Sequence, residues 1–379
     1  LRHRDGHHAR VTYEELFFDL VYVFAVTQLS HELLHNLTAF GVVETLILWF
    51  AVWLGWQYTC WVTNWFDPET PRIRGMMFAT MLLALIMAAS IPKAFSERGL
   101  IFAGAYVAMQ VGRTAFIALQ LPASHPLAPN YRRILGWVSI AAVFWIAGAL
   151  TQHETRALLW FAAVLCEYVS PMFGFALPGM GRSRSQEWTI EGGHLAERCQ
   201  LFVIVALGET VLASGAALAS ADAWAPEVML ALLATFIGTL AMWWLYFGTS
   251  SKEATAAITR SDDPGRIGAY FHYVHAILIA GVIATAVGNA AAGQSNKGLL
   301  AVLTEARDKA HTDLTAITVH NDLIKKIRAA RPVVAATLWG SVLAAISHYF
   351  TEVRGEKSIV TRSSNGFRVN GHGTAGLSG

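Results

Sequence analysis

Charge is scarce in this chain. Asp, Glu, Lys and Arg make up 14% of its 379 residues, where a soluble domain carries roughly 25%, and the shortfall argues against an ordinary water-soluble enzyme. The net charge is only +2, and the basic residues are scattered through short loops rather than gathered into a patch. Nucleic-acid binding therefore has no support. Three cysteines, Cys60, Cys166 and Cys199, sit in or beside apolar segments, where a thiol is most simply a small packing group and no disulfide framework arises. A Walker loop and a Rossmann glycine pattern are also missing, which leaves ATP hydrolysis and dinucleotide chemistry unsupported. Strand-length alternation of polar and apolar residues, the mark of a membrane barrel, is absent too.

What the chain has in abundance is apolar residues, 54% of the total, in runs such as 40–61 and 76–90. A bilayer is crossed by about 20 mostly apolar residues in a helix. Windows bounded by charge, Pro or Gly predict an all-α, polytopic transmembrane bundle with nine spans, at 12–36, 41–64, 75–92, 100–121, 134–152, 157–177, 199–220, 227–248 and 267–292. Between the spans, twelve Lys and Arg fall on one side and three, Lys93, Arg98 and Arg156, on the other. By the positive-inside rule the N-terminus, with its basic tail at 1–11, lies in the cytoplasm. The first span carries Glu14, Glu15 and Asp19 and is followed by no small-residue cleavage site, so it is expected to be retained rather than cleaved as a signal peptide.

The membrane domain is expected to occupy 12–292. Over 293–350 the composition becomes charged and amphipathic, with apolar stripes at Leu299, Val302, Leu303 and Ala306 and at Leu314, Ile317, Leu323, Ile324 and Ile327. Residues 332–350 could form a tenth span, at the expense of the charge rule. The polar stretch 351–379 is expected to be disordered. The first and seventh spans align without gaps at an offset of 183, pairing Glu14 with Glu197 and Thr27 with Thr210. This is either an internal repeat of the kind transporters use or a chance likeness of two apolar helices.

Ionisable residues inside the hydrocarbon cost about 2.5–3.5 kcal/mol each on insertion scales and need a partner or a watery cavity. Depth counting places Arg113, Glu167 and Glu209 near mid-membrane and Asp19 in the inner third of the first span. The acidic surplus suits a path for a cation or proton, with Asp19 and Glu209 as carriers and Arg113 as their counter-charge. The alternative is a set of structural ion pairs, Arg113 with Glu167 or Glu209. Glu15, Asp19 and Tyr22 share one helical face. His194, Glu197 and Arg198 open the seventh span and His275 enters the ninth; these histidines either relay protons or are hydrogen-bonded structural groups. His31-Glu32-Leu33-Leu34-His35 matches the zinc-protease pattern, but no third ligand accompanies it, so no metal, cofactor or catalytic residue is expected and the protein is not read as an enzyme. Trp49, Trp53, Trp56, Trp61, Trp243 and Trp244 are expected to be interface anchors and packing.

The stretch from Glu14-Glu15-Leu16-Phe17-Phe18-Asp19 to Thr27-Gln28-Leu29, together with His194-Leu195-Ala196-Glu197-Arg198 running into Gly208-Glu209-Thr210, resembles the bacterial low temperature requirement A family. The likeness covers roughly residues 11–292 and includes Tyr273-Val274-His275. It implies a multi-helix protein of the bacterial cytoplasmic membrane associated with growth in the cold, and it singles out Glu15, Asp19, His194, Glu197, Arg198, Glu209 and His275. After Gly293 the apolar C-terminal helices expected of the family are missing. The lipid bilayer and a small cation or proton are the expected partners; the sequence does not set an oligomeric state. Two functions stay open: a transporter or channel-like protein, or a non-transporting sensor or assembly factor with structural ion pairs.

Overall fold

The computed structural model describes residues 1–2, 9–221 and 223–310, with the side chains of 292–310 and a few others left out. Among these residues the chain is helical, without a β-strand. The helices are α1 (Tyr13–His35), α2 (Ala39–Trp65), α3 (Pro71–Ser90), α4 (Gly99–Gln120), α5 (Ala128–Ala149), α6 (His153–Val169), α7 (Gly192–Ala219), α8 (Pro226–Trp243), α9 (Ser251–Thr259) and α10 (Pro264–Ala310). Each of the nine expected spans overlaps a helix, although 157–177 runs past the end of α6 at Val169. Seven, α2, α3, α4, α5, α7, α8 with its π-turn, and α10, are long and apolar enough to cross a membrane.

Local chemistry sets the helix boundaries. Thr12 caps α1 in a capping box with Glu15, which satisfies two of the amides that a helix start leaves without partners. Glu191 caps α7 by accepting from the amides of Gly193 and His194, so that helix begins seven residues before its apolar run. Pro129 in the first turn of α5 fits a helix start, where no N–H is needed. Between α8 and α9 the chain forms a π-helical turn, Trp244–Ser250, a wider turn with an i to i+5 bond. The expected ninth span, 267–292, agrees with the membrane-length stretch Pro264–Ala291, and α10 continues beyond it to Ala310. The expectations for a tenth span and for the polar tail at 351–379 lie outside the described residues.

Sequence neighbours α3, α4, α5 and α6 pack side by side, α7 packs on α10 and α8, and α1 touches α2, α3, α7 and α10. Helix α2 runs through the middle, in contact with α1, α4, α6, α7 and α10. Of the tryptophans expected to anchor or pack, Trp49, Trp53 and Trp56 of α2 are enclosed and pack, whereas Trp243 and Trp244, where α8 meets the π-turn, are exposed. Gly55 lets α2 approach closely, because a Cβ there would lie 2.5 Å from Met109 Cε of α4 and 3.0 Å from Tyr22 Oη of α1. The exposed face is apolar, with Leu230, Leu233, Phe236, Ile237 and Leu240 on α8 alone, the inverse of a soluble bundle and suited to lipid.

Arg156 clamps the end of the bundle opposite the N-terminus. Its guanidinium donates to the carbonyls of Ala94 and Ser96 at 2.9 Å, of Thr151 at 2.7 Å and of Gly148 and Ala149 at 3.3 Å, joining the α3–α4 connection to the end of α5. Arg156→Gln strands several of these carbonyls. It is expected to cost on the order of 3 kcal/mol, read as a lowered melting midpoint of the detergent-solubilised protein.

Candidate functional site

The N-terminal ends of α1 and α7 lie together and bring four of the expected residues into one buried cluster. Arg198 is fully enclosed and reaches both acids of α1: Nη1 donates to Glu15 Oε1 at 3.0 Å and Nη2 to Asp19 Oδ1 at 2.6 Å. Trp56 of α2 donates its indole N–H to the same Asp19 oxygen at 2.7 Å, and its ring faces the Arg198 guanidinium at 5.7 Å, a cation–π contact. Glu15 also takes the Thr12 amide at 2.9 Å on Oε2, and Arg2 stands 3.5 Å from Oε1. Asp19 Oδ2, by contrast, is buried without a hydrogen-bond partner.

Both ring nitrogens of His194 are engaged. Asn64 accepts from the Glu191 amide through Oδ1 at 2.8 Å and donates through Nδ2 to the Glu191 carbonyl at 2.9 Å. That orientation presents the Asn64 amide donor to His194 Nδ1 at 3.1 Å. Nδ1 therefore accepts from Asn64, while Nε2 lies 2.8 Å from both Glu15 Oε1 and Arg2 Nη1, between the carboxylate and the N-terminal arginine. The cluster thus joins α1, α2, α7 and the N-terminal residues by bonds that end on two carboxylates.

The other expected residues lie elsewhere. Glu209, in the body of α7, accepts from the Thr27 hydroxyl of α1 at 2.6 Å. Glu197 is half-buried rather than enclosed. His275 is buried between Phe271 and the π-turn: its Nδ1 lies 2.6 Å from the Phe271 carbonyl, and its Nε2 lies 2.6 Å from Tyr246 Oη. A carbonyl cannot donate, so Nδ1 carries the proton and Nε2 accepts from the tyrosine.

Arg113 and Glu167 require a correction. Arg113 has no carboxylate within ion-pair distance among the described residues, so it is neither the counter-charge of Asp19 and Glu209 nor the direct partner of Glu167. It donates to Thr59 Oγ1 at 2.9 Å, to the Gly55 carbonyl at 3.3 Å and to Gln110 Oε1. Gln110 in turn donates to Glu167 Oε2 at 3.0 Å, alongside Tyr106 at 2.7 Å, while Trp145 donates to Oε1 at 3.0 Å. Sequence reading missed Trp56, Asn64, Tyr106, Gln110 and Trp145. Each is uncharged and sits in an apolar run, with no local signal marking it as a partner of a buried acid.

His31 and His35 stay exposed at the far end of α1, where His35 Nδ1 turns back to the His31 carbonyl at 2.7 Å. No group of three or more His, Cys, Asp or Glu suited to a metal occurs among the described residues. The cysteines are free thiols, with Cys60 and Cys199 buried and Cys166 half-buried.

An all-helical chain with an apolar exterior, several membrane-length helices and charges paired in its interior is a multi-pass membrane protein. Comparison with known proteins narrows this class. The family model described as bacterial low temperature requirement A protein matches residues 10–355, and the chain belongs to that family. The match runs past Gly293, so the segment that looked foreign to the family from its composition is part of it. An uncharacterized protein of Rhizobium meliloti (strain 1021) is 36% identical over 290 residues, covering 76% of this chain and 71% of the relative. No solved structure matches.

Proposed function

We propose that the protein is a carrier of the bacterial cytoplasmic membrane, N-terminus inside, that moves protons or a small cation and serves growth at low temperature. The observation that carries this reading is Asp19. It is 3% exposed, one of its oxygens holds Arg198 and Trp56, and the other is bare. A buried carboxylate oxygen without a donor is costly, and a proton or small cation is the ligand that relieves it. Arg198 replaces Arg113 as the counter-charge in this scheme. Glu209, eleven residues along the same helix and held by one hydroxyl, is the next acid on the route.

Nine crossings fit the course of the helices. Glu15 bonds to Arg198, and Thr27 to Glu209, so the contact advances in the same chain direction along both helices and α1 runs parallel to α7. Parallel neighbours need an even number of crossings from α1 through α6. That condition is met when α1 and α6 cross as well. Helix α6, with 17 residues, is at the lower end of the length required.

The second reading, a non-transporting sensor or assembly factor, is favoured by Arg198 holding both acids at once. Purified protein in liposomes containing a pH-sensitive dye separates the two. The carrier reading expects acid-driven proton uptake that Asp19→Asn lowers by on the order of 100-fold in protein that still elutes as a folded species. The same variant is expected to fail in restoring cold growth to a deletion strain. No uptake by the wild-type protein returns the cluster to a structural role.

A further inference from the structure

A second polar centre lies away from the Glu15–Asp19–Arg198 cluster, and its chemistry is opposite in sign. Where α2 ends and α5 begins, a cavity leaves about 50 Å³ for the centres of water-sized molecules, several times the roughly 10–15 Å³ that one water needs. Arg113, Gln57, Trp61, Tyr131, Phe175 and Trp188 are among its lining residues. Five of these carry a buried polar atom with no partner: Arg113 Nε, Trp61 Nε1, Trp188 Nε1, Tyr131 Oη and Gln57 Oε1. Arg113, Tyr131, Trp188 and Gln57 are each no more than 5% exposed.

These orphans are concentrated here. Six other indoles, those of Trp49, Trp56, Trp65, Trp137, Trp145 and Trp160, donate to protein acceptors at 2.7–3.1 Å. Among the described residues three indole nitrogens are buried without a partner, and two of them line this cavity. An indole N–H and a guanidinium can only donate, and a tyrosine hydroxyl can do so, so the unpartnered atoms named above offer a cation and a surplus of donors, with Gln57 Oε1 the one among them that can only accept. A cationic guest would meet Arg113, which has no carboxylate partner and whose guanidinium lies 5.6 Å from the Tyr58 ring. Aromatic faces supply the rest of the wall: Trp61 and Trp188 meet edge to face at 5.7 Å, and Phe175 lies 5.8 Å from Trp188.

The segment between α6 and α7 is bent to close this wall. Phe175 is held in the left-handed backbone region at φ 53° although it has a bulky side chain, a conformation that costs on the order of 1–3 kcal/mol and persists only where the surroundings enforce it. Gly174 beside it, at φ 60°, lies so near the Ser183 carbonyl that a Cβ would come within 2.1 Å of the oxygen. The Ser183 amide donates to the Gly174 carbonyl and the Phe175 amide to the Ser170 carbonyl, each at 2.8 Å, which holds the bend, and Phe175, a lining residue of the cavity, is 5% exposed.

We propose that this cavity is a binding site for a small organic carboxylate with a flat apolar body. The carboxylate accepts from Arg113 Nε and the orphaned indole and phenol donors, and the body lies against the rings of Phe175 and Tyr131. The site goes beyond the carrier reading and does not depend on it, since binding is measured without flux.

The test uses the full-length protein in lipid nanodiscs and ¹⁹F NMR of 4-fluorobenzoate. Saturable line broadening that unlabelled benzoate reverses is the expected result, with 4-fluorobenzamide and 4-fluorobenzylamine showing no saturable broadening. Arg113→Gln is expected to weaken binding about tenfold or more, and Trp188→Phe, which removes only one donor, by about three- to tenfold. If Arg113→Gln does not fold, Trp188→Phe alone decides. The proposal is overturned if 4-fluorobenzoate shows no saturable binding, if the neutral amide binds as well, or if the folded variants bind as the wild type does. Displacement by phosphate or chloride as effective as that by benzoate also overturns it, by reducing the site to a general anion trap.

Discussion

Arg198→Gln is expected to cost about 3–5 kcal/mol, the loss that follows when one partner of a buried ion pair is removed. The change leaves Glu15 with Thr12, His194 and the distant edge of Arg2, and Asp19 with only the Trp56 indole. Two charges then remain in a low-dielectric interior. The melting midpoint in detergent should fall steeply, and much of the protein should elute as aggregate. Neutralising the whole cluster, with Arg198→Met, Glu15→Gln and Asp19→Asn together, is expected to recover part of the loss, because no unpaired charge of the cluster then stays buried. A single Arg198→Gln protein that melts with the wild type would mean that the pairs hold nothing together.

Glu167→Leu has the second-largest expected effect. Three donors, the Tyr106 hydroxyl, the Gln110 amide and the Trp145 indole, converge on this carboxylate from α4 and α5. Leucine strands all three at about 1–3 kcal/mol per buried donor, a total on the order of 5 kcal/mol. Glu167→Gln keeps one acceptor oxygen, and Tyr106 can turn its hydroxyl to accept, so it should retain more than half of that stability. Gln110 links this acid to Arg113, and the leucine variant is therefore also expected to loosen the arginine. Thermal melts of the two variants side by side check the order: leucine far below glutamine.

The helices were legible in the sequence because membrane length and apolarity are local properties, and each of the nine expected spans overlaps a helix, the sixth only as far as Val169. Boundaries moved where a cap or a proline acted: α7 begins at Gly192 because Glu191 accepts from its first amides, not where the apolar run starts. The buried acids were legible from their cost in hydrocarbon, and the family motifs of the first and seventh spans named Glu15, Asp19, His194 and Arg198 together. Their partners were harder to read. Depth alone put Arg113 level with Glu167, yet a single turn of α4 inserts Gln110 between the two charges. Trp56 looks like any other tryptophan of an apolar helix until its indole N–H is found on Asp19. Pairing across helices depends on rotation about each axis, and hydropathy carries no record of that angle.

The pairing of α1 with α7 has a consequence for how the chain is made. Glu15 and His194, like Asp19 and Arg198, are separated by 179 residues. At synthesis rates of about 5–20 residues per second, this interval lasts roughly 10–40 s. Throughout it, the first helix carries its two acids toward the bilayer with their arginine not yet translated. Helix α1 must wait, sheltered by the insertion machinery or resting at the headgroups, until the seventh helix arrives to neutralise it. The order of assembly is thus written into the charges: α1 is made long before the helix that secures it.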